Sequence, residues 1–265
     1  MGCPLGQIAE DCQRMLPQLE EAKMADMIPV VRMFLQMTLN LQLPSSESSK
    51  KLEGECFTRA LETNETPMQI AYMNFTIGEL LLFFGDHEAR ASRLLGEEKG
   101  NTLFEILPGN AFWGRTDTFH RGMVWFAMAR KKKNRKYRAK ALKIKKLVAK
   151  WAKLGDPNVQ SYDRMLSAEE ASLKKKYKLA DRLYKQAIII AARNGQVHHA
   201  ALFSERFGEY RLETHGDEED RKYYMEQAIR FYTEWGAVGK AEELKQTFVE
   251  SGIMMLEKHP QNTAI

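Results

Sequence analysis

Cysteine is scarce in this 265-residue chain. Only Cys3, Cys12 and Cys56 occur, and no two form a Cys-x-x-Cys pair. An odd, unclustered set argues against a disulfide framework and a cysteine-ligated zinc site, and fits a reducing cytoplasm. Long apolar runs are also missing. Ile77 to Phe84 comes nearest, and Gly78 and Glu79 interrupt it. A bilayer span needs roughly 20 apolar residues, so no transmembrane segment is expected. No charged-then-apolar leader opens the chain. With 8 prolines and 17 glycines, the chain has too few breakers for a sheet-rich fold and reads as long helices. Catalytic patterns are absent as well. There is no Gly-x-Ser-x-Gly and no Cys-His arrangement for a nucleophile. The acids Glu169-Glu170 and Glu218-Glu219 are consecutive, so they diverge on a helix and form no acid/base pair. Catalytic, cofactor-binding and metal-binding residues are all expected to be none.

What is present is a globular composition, 44% apolar and 28% charged, together with a repeat. Gln186-Ala187-Ile188 matches Gln227-Ala228-Ile229, and Gly195 matches Gly236 at the same offset of 41. Gly155 precedes Gly195 by 40. Self-similarity at a fixed period marks a stacked helical array. Each unit reads as two helices: 159–175 with 177–193, then 196–213 with 217–235. Looser pairs precede them at 68–84 with 86–96 and at 113–130 with 134–154. Tyr137, Ala141, Ile144, Val148 and Trp151 share one helical face, as do Leu183, Ala187, Ile190 and Ala191. Ala168 and Gly208 are small enough to let a neighbour approach. One pair cannot bury its apolar stripe alone, and stacking buries it. The expected fold is all-α, a right-handed superhelix of stacked antiparallel helix pairs with tetratricopeptide-like repeats of about 40 residues. Its organisation reads as an N-terminal helical repeat portion (1–42), a loop and linker (43–66) and a tetratricopeptide-like helical array (67–265). "LPSSESSKK" (43–51) is the clearest flexible segment.

"WGAVGKAEEL" (235–244) poses a test, because Gly-Lys before a helix suggests a phosphate loop. A Walker loop needs Gly-x-x-x-x-Gly-Lys-Ser/Thr after a strand. Here Glu234 stands where the first glycine belongs, Ala241 replaces the hydroxyl, and no strand precedes. The glycine reads instead as a turn between repeats.

The segments "ARKKKNRKYRAKALKIKKLVAKWAKLGDPN", "AEEASLKKKYKLADRLYKQAIIIAARNG" and "AIRFYTEWGAVGKAEEL" resemble the tetratricopeptide-like region of large multidomain sensor kinases. Those signalling proteins join kinase-like, P-loop ATPase, helical-repeat, GAF and histidine kinase domains. The resemblance covers about 118–244 well and 2–41 more weakly. It implies a helical scaffold working in signal transduction. None of that family's catalytic residues has a counterpart here, so none carries over.

The basic stretch is the most unusual feature. Residues 118–155 hold 14 Lys or Arg and no Asp or Glu, against a net charge of +5 for the whole chain. On a helical wheel Lys136, Lys143, Lys146, Lys150 and Lys153 lie opposite the apolar stripe. Such a face suits an acidic partner, nucleic acid phosphates or an anionic membrane. The plain alternative is a solvated face whose lysines meet acids on neighbouring helices. No exposed aromatic platform for single strands accompanies it. His198 and His199 are adjacent and point to different sides of a helix, unlike metal ligands three or four apart. His87, His120, His215 and His259 look scattered. A phosphotransfer role for His199 lacks its usual local sequence. "MGCPLG" departs from the myristoylation motif, with Gly6 where Ser or Thr belongs, so no lipid anchor is expected. The methionine-rich "MADMIPVVRMFLQM" reads first as adaptable core and second as a partner groove. The sequence points to a cytoplasmic, non-enzymatic scaffold that binds protein. Nucleic-acid or anionic-surface binding through residues 130–153 is the alternative.

Overall fold

The structure, a computed structural model, describes residues 2–44, 47–58, 66–96, 103–106 and 112–250. The helices are α1 (Leu5–Glu21), α2 (Met27–Gln42), α3 (Pro67–Phe83), α4 (His87–Gly96), the single turn α5 (Leu103–Ile106), α6 (Phe112–Lys132), α7 (Arg135–Lys153), α8 (Gln160–Leu173), α9 (Tyr177–Arg193), α10 (Val197–His215), α11 (Glu218–Trp235) and α12 (Val238–Glu250). Among the described residues there is no strand. No described helix is long and apolar enough to cross a membrane.

Local chemistry explains the boundaries. Thr66 and Gln69 form a reciprocal capping box at α3, with Pro67 in the first turn. Asn134 caps α7 by accepting from the Lys136 amide. Asp217 caps α11, and Glu218, Glu219 and Asp220 fill its first turn, where the helix dipole favours negative charge. Gly155, Gly195 and Gly236 sit in the turns between successive helix pairs, with φ of 87°, 69° and 92°. That left-handed backbone is open to glycine without a Cβ clash. The repeat noticed in the sequence is a repeat of this turn.

Adjacent helices pack in pairs: α1 on α2, α6 on α7, α8 on α9 and α10 on α11. The stripes expected inside are buried in part. Ala141, Val148 and Trp151 are buried, as are Leu183, Ala187 and Ala191, while Tyr137, Ile144 and Ile190 are half-buried. A Cβ on Gly208 would meet the Arg221 carbonyl oxygen at 3.2 Å, so α10 and α11 touch almost backbone to backbone. Neighbouring turns are tied together. Gln196 donates to the Asn158 carbonyl at 2.9 Å and accepts from Ser161 at 2.7 Å, and Asn194 donates to the Pro157 carbonyl at 3.2 Å.

The N-terminal portion is two helices, separated by a turn in which Lys23 takes a φ of 54° without glycine. Two features differ from the sequence reading. The segment expected to be flexible at 43–51 is pinned where it is described. Residues 47–50 form a 3-10 turn, and Asn40 donates to the carbonyls of Ser49 and Lys51. Residues 45 and 46 lie outside the described residues. Finally, α2 packs against both α3 and α12, so the N-terminal portion bridges distant parts of the chain. Met33 and Met37 on α2 are buried, whereas Met24 is 50% exposed. The methionine-rich segment is mostly core.

Candidate binding surfaces

The five lysines singled out from the sequence share the outer side of α7. Lys136, Lys143, Lys146, Lys150 and Lys153 are all exposed, and none is ion-paired with a described residue. Their basic neighbours behave otherwise. Lys145 meets Glu170 at 2.5 Å, and Lys131 and Lys132 share Glu88 at 3.0 and 2.8 Å. The stretch therefore divides into paired cations and a row of solvated ones. Its aromatics are turned inward: Tyr137 stacks on Trp125, with centroids 5.5 Å apart, and Lys140 lies over the same indole at 4.7 Å.

On the opposite side α6 packs against α8, and α3 packs against α6. Here the structure joins histidines that looked scattered. Glu79 of α3 bonds Nδ1 of His120 on α6. His120 Nε2 lies 2.9 Å from His199 Nε2 on α10, and His199 Nδ1 lies 3.4 Å from the Tyr162 hydroxyl on α8. His199 and Tyr162 are at 0% exposure, so solvent does not reach this chain of bonds. Burial, with His198 and His120 beside it, holds the His199 imidazole well below its usual pKa. Burial and His120 push His198, whose ring lies 5.2 Å from that of Trp235, down to about 3. Both rings are neutral at pH 7. Arg90 of α4 adds a second tie, to Asp117 of α6 at 3.2 Å. Among the described residues no group of His, Cys, Asp or Glu is placed to hold a metal ion.

Two buried ion clusters link successive pairs in the same way. Glu169 on α8 accepts from Tyr184 of its own pair at 2.8 Å, from Arg206 on α10 at 2.9 Å and from Arg130 on α6 at 2.6 Å. Burial pushes its carboxyl up, but the two guanidiniums outweigh burial and hold it at about 2. One pair further on, Glu205 accepts from Tyr232 at 2.7 Å and from Lys240 at 3.0 Å. Each cluster joins a carboxylate on the first helix of a pair, a phenol on the second and a cation on the next pair. Burial pushes the Lys240 ammonium down, yet Glu205 and Glu243 hold it above its ordinary value.

This settles the Gly-Lys question in structural terms. Gly236 is the turn glycine. Gly239 lies inside α12, where any Cβ would overlap the Leu43 carbonyl oxygen after α2. Lys240 is 3% exposed and committed to two carboxylates.

A cavity of about 450 Å³ opens where the turn at Gly85–Glu88 meets α6, α10 and α11. His87, Met128, Arg130, Glu209, Glu213 and Arg221 are among its walls. Burial lowers the His87 pKa against the partly opposing pull of Glu209, which keeps the ring neutral. Sequence reasoning missed this place because its parts lie more than a hundred positions apart. No family model matches the chain, and neither a curated protein nor a solved structure matches it.

Proposed function

We propose that this chain is a non-enzymatic helical-repeat scaffold or regulatory module, a right-handed tetratricopeptide-like stack. It contacts an acidic protein partner through the outer face of α7. The observation that carries this reading is the contrast between the two sides of the helix row. On one side α6 is packed against the chain's own α3 and α4, while the outer face of α7 presents five exposed lysines with no described ion partner. Unpaired surface charge steers a complementary partner and sets its register. A role in signal transduction follows from the resemblance alone, and fold does not fix function.

A second reading, binding to nucleic acid or another polyanionic surface, draws on the lack of any acid across residues 118–155. One experiment weighs both. Binding of an acidic helical peptide and of duplex DNA is measured across a salt titration, for the wild type and for Lys143→Glu/Lys146→Glu/Lys150→Glu. Peptide binding lost on charge reversal supports the scaffold. DNA binding that falls steeply with salt and vanishes in the variant supports the second reading. Absence of either at low salt eliminates this face as a binding surface.

A further inference from the structure

We propose that the cavity bounded by the Gly85–Glu88 turn, α6, α10 and α11 binds a small zwitterion, an apolar α-amino acid. It lies apart from the outer face of α7, so this assignment and the scaffold reading stand or fall separately.

The cavity has the right size. Ligand sites typically enclose about 300–1,000 Å³, and this one offers about 450 Å³. It also carries unmet chemistry. Buried polar atoms without partners are few in a folded protein and call for a water, an ion or a ligand. Among the described residues, His87 Nδ1 and Arg221 Nε have no hydrogen-bond partner, and both residues line this cavity. Arg221 can only donate, and its guanidinium sits over the Phe248 ring at 4.9 Å. A carboxylate is the natural acceptor for it.

The walls carry acids as well as cations. Glu209 and Glu213 also line the cavity. Arg206 fixes each of them through Oε2, at 3.1 and 3.5 Å, leaving Oε1 of both as acceptors. A bare carboxylate would meet these like charges, and a bare amine would leave Arg221 unmet. A molecule with both groups satisfies both ends. Met128 and Leu212 supply an apolar wall for its side chain. The carboxylates are held in place from behind, because Arg206 is also anchored by the buried Glu169. Such a preset frame lowers the ordering cost of binding.

The test uses calorimetric titration of the full chain with three probes of one skeleton: L-leucine, 4-methylpentanoate without the amine, and isoamylamine without the carboxylate. Leucine is expected to bind saturably, at least about tenfold more tightly than either single-charge probe. Arg221→Gln and Glu209→Gln should each weaken leucine by about tenfold. Arg221→Lys should recover part of the loss, and Lys222→Gln on the same helix should change nothing. Circular dichroism confirms that each variant is folded, and Glu209, partly exposed, gives a variant that does not depend on the Arg221–Phe248 contact. The proposal is overturned by absence of saturable leucine binding up to about 10 mM, well beyond ordinary weak-site affinities. It is equally overturned if a single-charge probe binds as tightly, or if neither variant weakens leucine.

Discussion

Lys240 and Lys143 are the same residue in opposite settings. Lys240 is 3% exposed, lies between Glu205 and Glu243, and joins one helix pair to the next. Lys143 stands in water on the outer face of α7 with no described ion partner. Water screens an exposed charge and leaves little for stability. A buried charge is destructive unless its partner is in place. The inner cations therefore specify how the pairs stack, and the outer ones are left for what approaches from outside.

The largest test of this contrast is a matched substitution. Lys240→Met strands Glu205 in the interior and should cost about 3–5 kcal/mol in urea unfolding. Lys143→Met should fall within about 0.5 kcal/mol of wild type. Equal losses would sink the comparison. Adding Glu205→Leu to Lys240→Met should recover much of the deficit, since a cluster replaced whole is tolerated better than one cut in half.

Acid separates the interior from the surface in a second way. The folded protein keeps His198 and His199 neutral, with His198 at about 3, whereas the unfolded chain protonates them near 6.5. Their contribution is intact above pH 6.5 and is lost as pH falls below it. At pH 5.5 each should cost about 1.4 kcal/mol, and the two together about 3. Glu169, at about 2 when folded against 4.5 for a free carboxyl, adds a further loss only below about pH 4.5. A stability curve flat from pH 7 to 5 would show that the histidines are not held neutral.

A smaller effect asks whether the turns or the buried clusters hold the repeat in register. Nothing lies within 4 Å of a Cβ built on Gly195, so Gly195→Ala isolates the cost of its left-handed backbone. That cost should be about 1–2 kcal/mol by thermal unfolding. A loss as large as that of Lys240→Met would move the register into the turns. Least of all should stability respond to Lys143→Glu/Lys146→Glu/Lys150→Glu. A change within about 0.5 kcal/mol per site is expected, while any binding through this face disappears. A melting temperature that collapses would mean that these lysines have structural partners.

Much of the helical arrangement was legible, for a definite reason. The repeat is written in local signals, namely turn glycines, Asn134 and Asp217 at caps, and apolar stripes, and all act within a few residues. The solvated lysines were legible on the same ground, because a wheel fixes which side faces away from an apolar stripe. The break between α1 and α2 was not, since Lys23 holds a backbone that usually advertises itself with glycine. Nor was the chain from Glu79 through His120 to His199, whose members are 41 and 79 positions apart and meet only because α3 packs on α6 and His120 of α6 faces His199 of α10. The ion clusters stood between these extremes. Glu169 to Arg206 and Glu205 to Lys240 each span about one repeat. A search for opposite charges at that offset would have found them.

The contact of α2 with α12 closes a long circuit. Elements near residue 40 must find elements near residue 240, whereas α6 with α7, α8 with α9 and α10 with α11 pair between neighbours in sequence. Joining distant segments adds little to the equilibrium cost, because closure entropy grows only with the logarithm of the intervening length. It weighs on time instead, since chains rich in distant contacts fold slowly. The central pairs can assemble early, on local information. The seam that Gly239 makes with the end of α2 is the step that must wait for the rest of the chain.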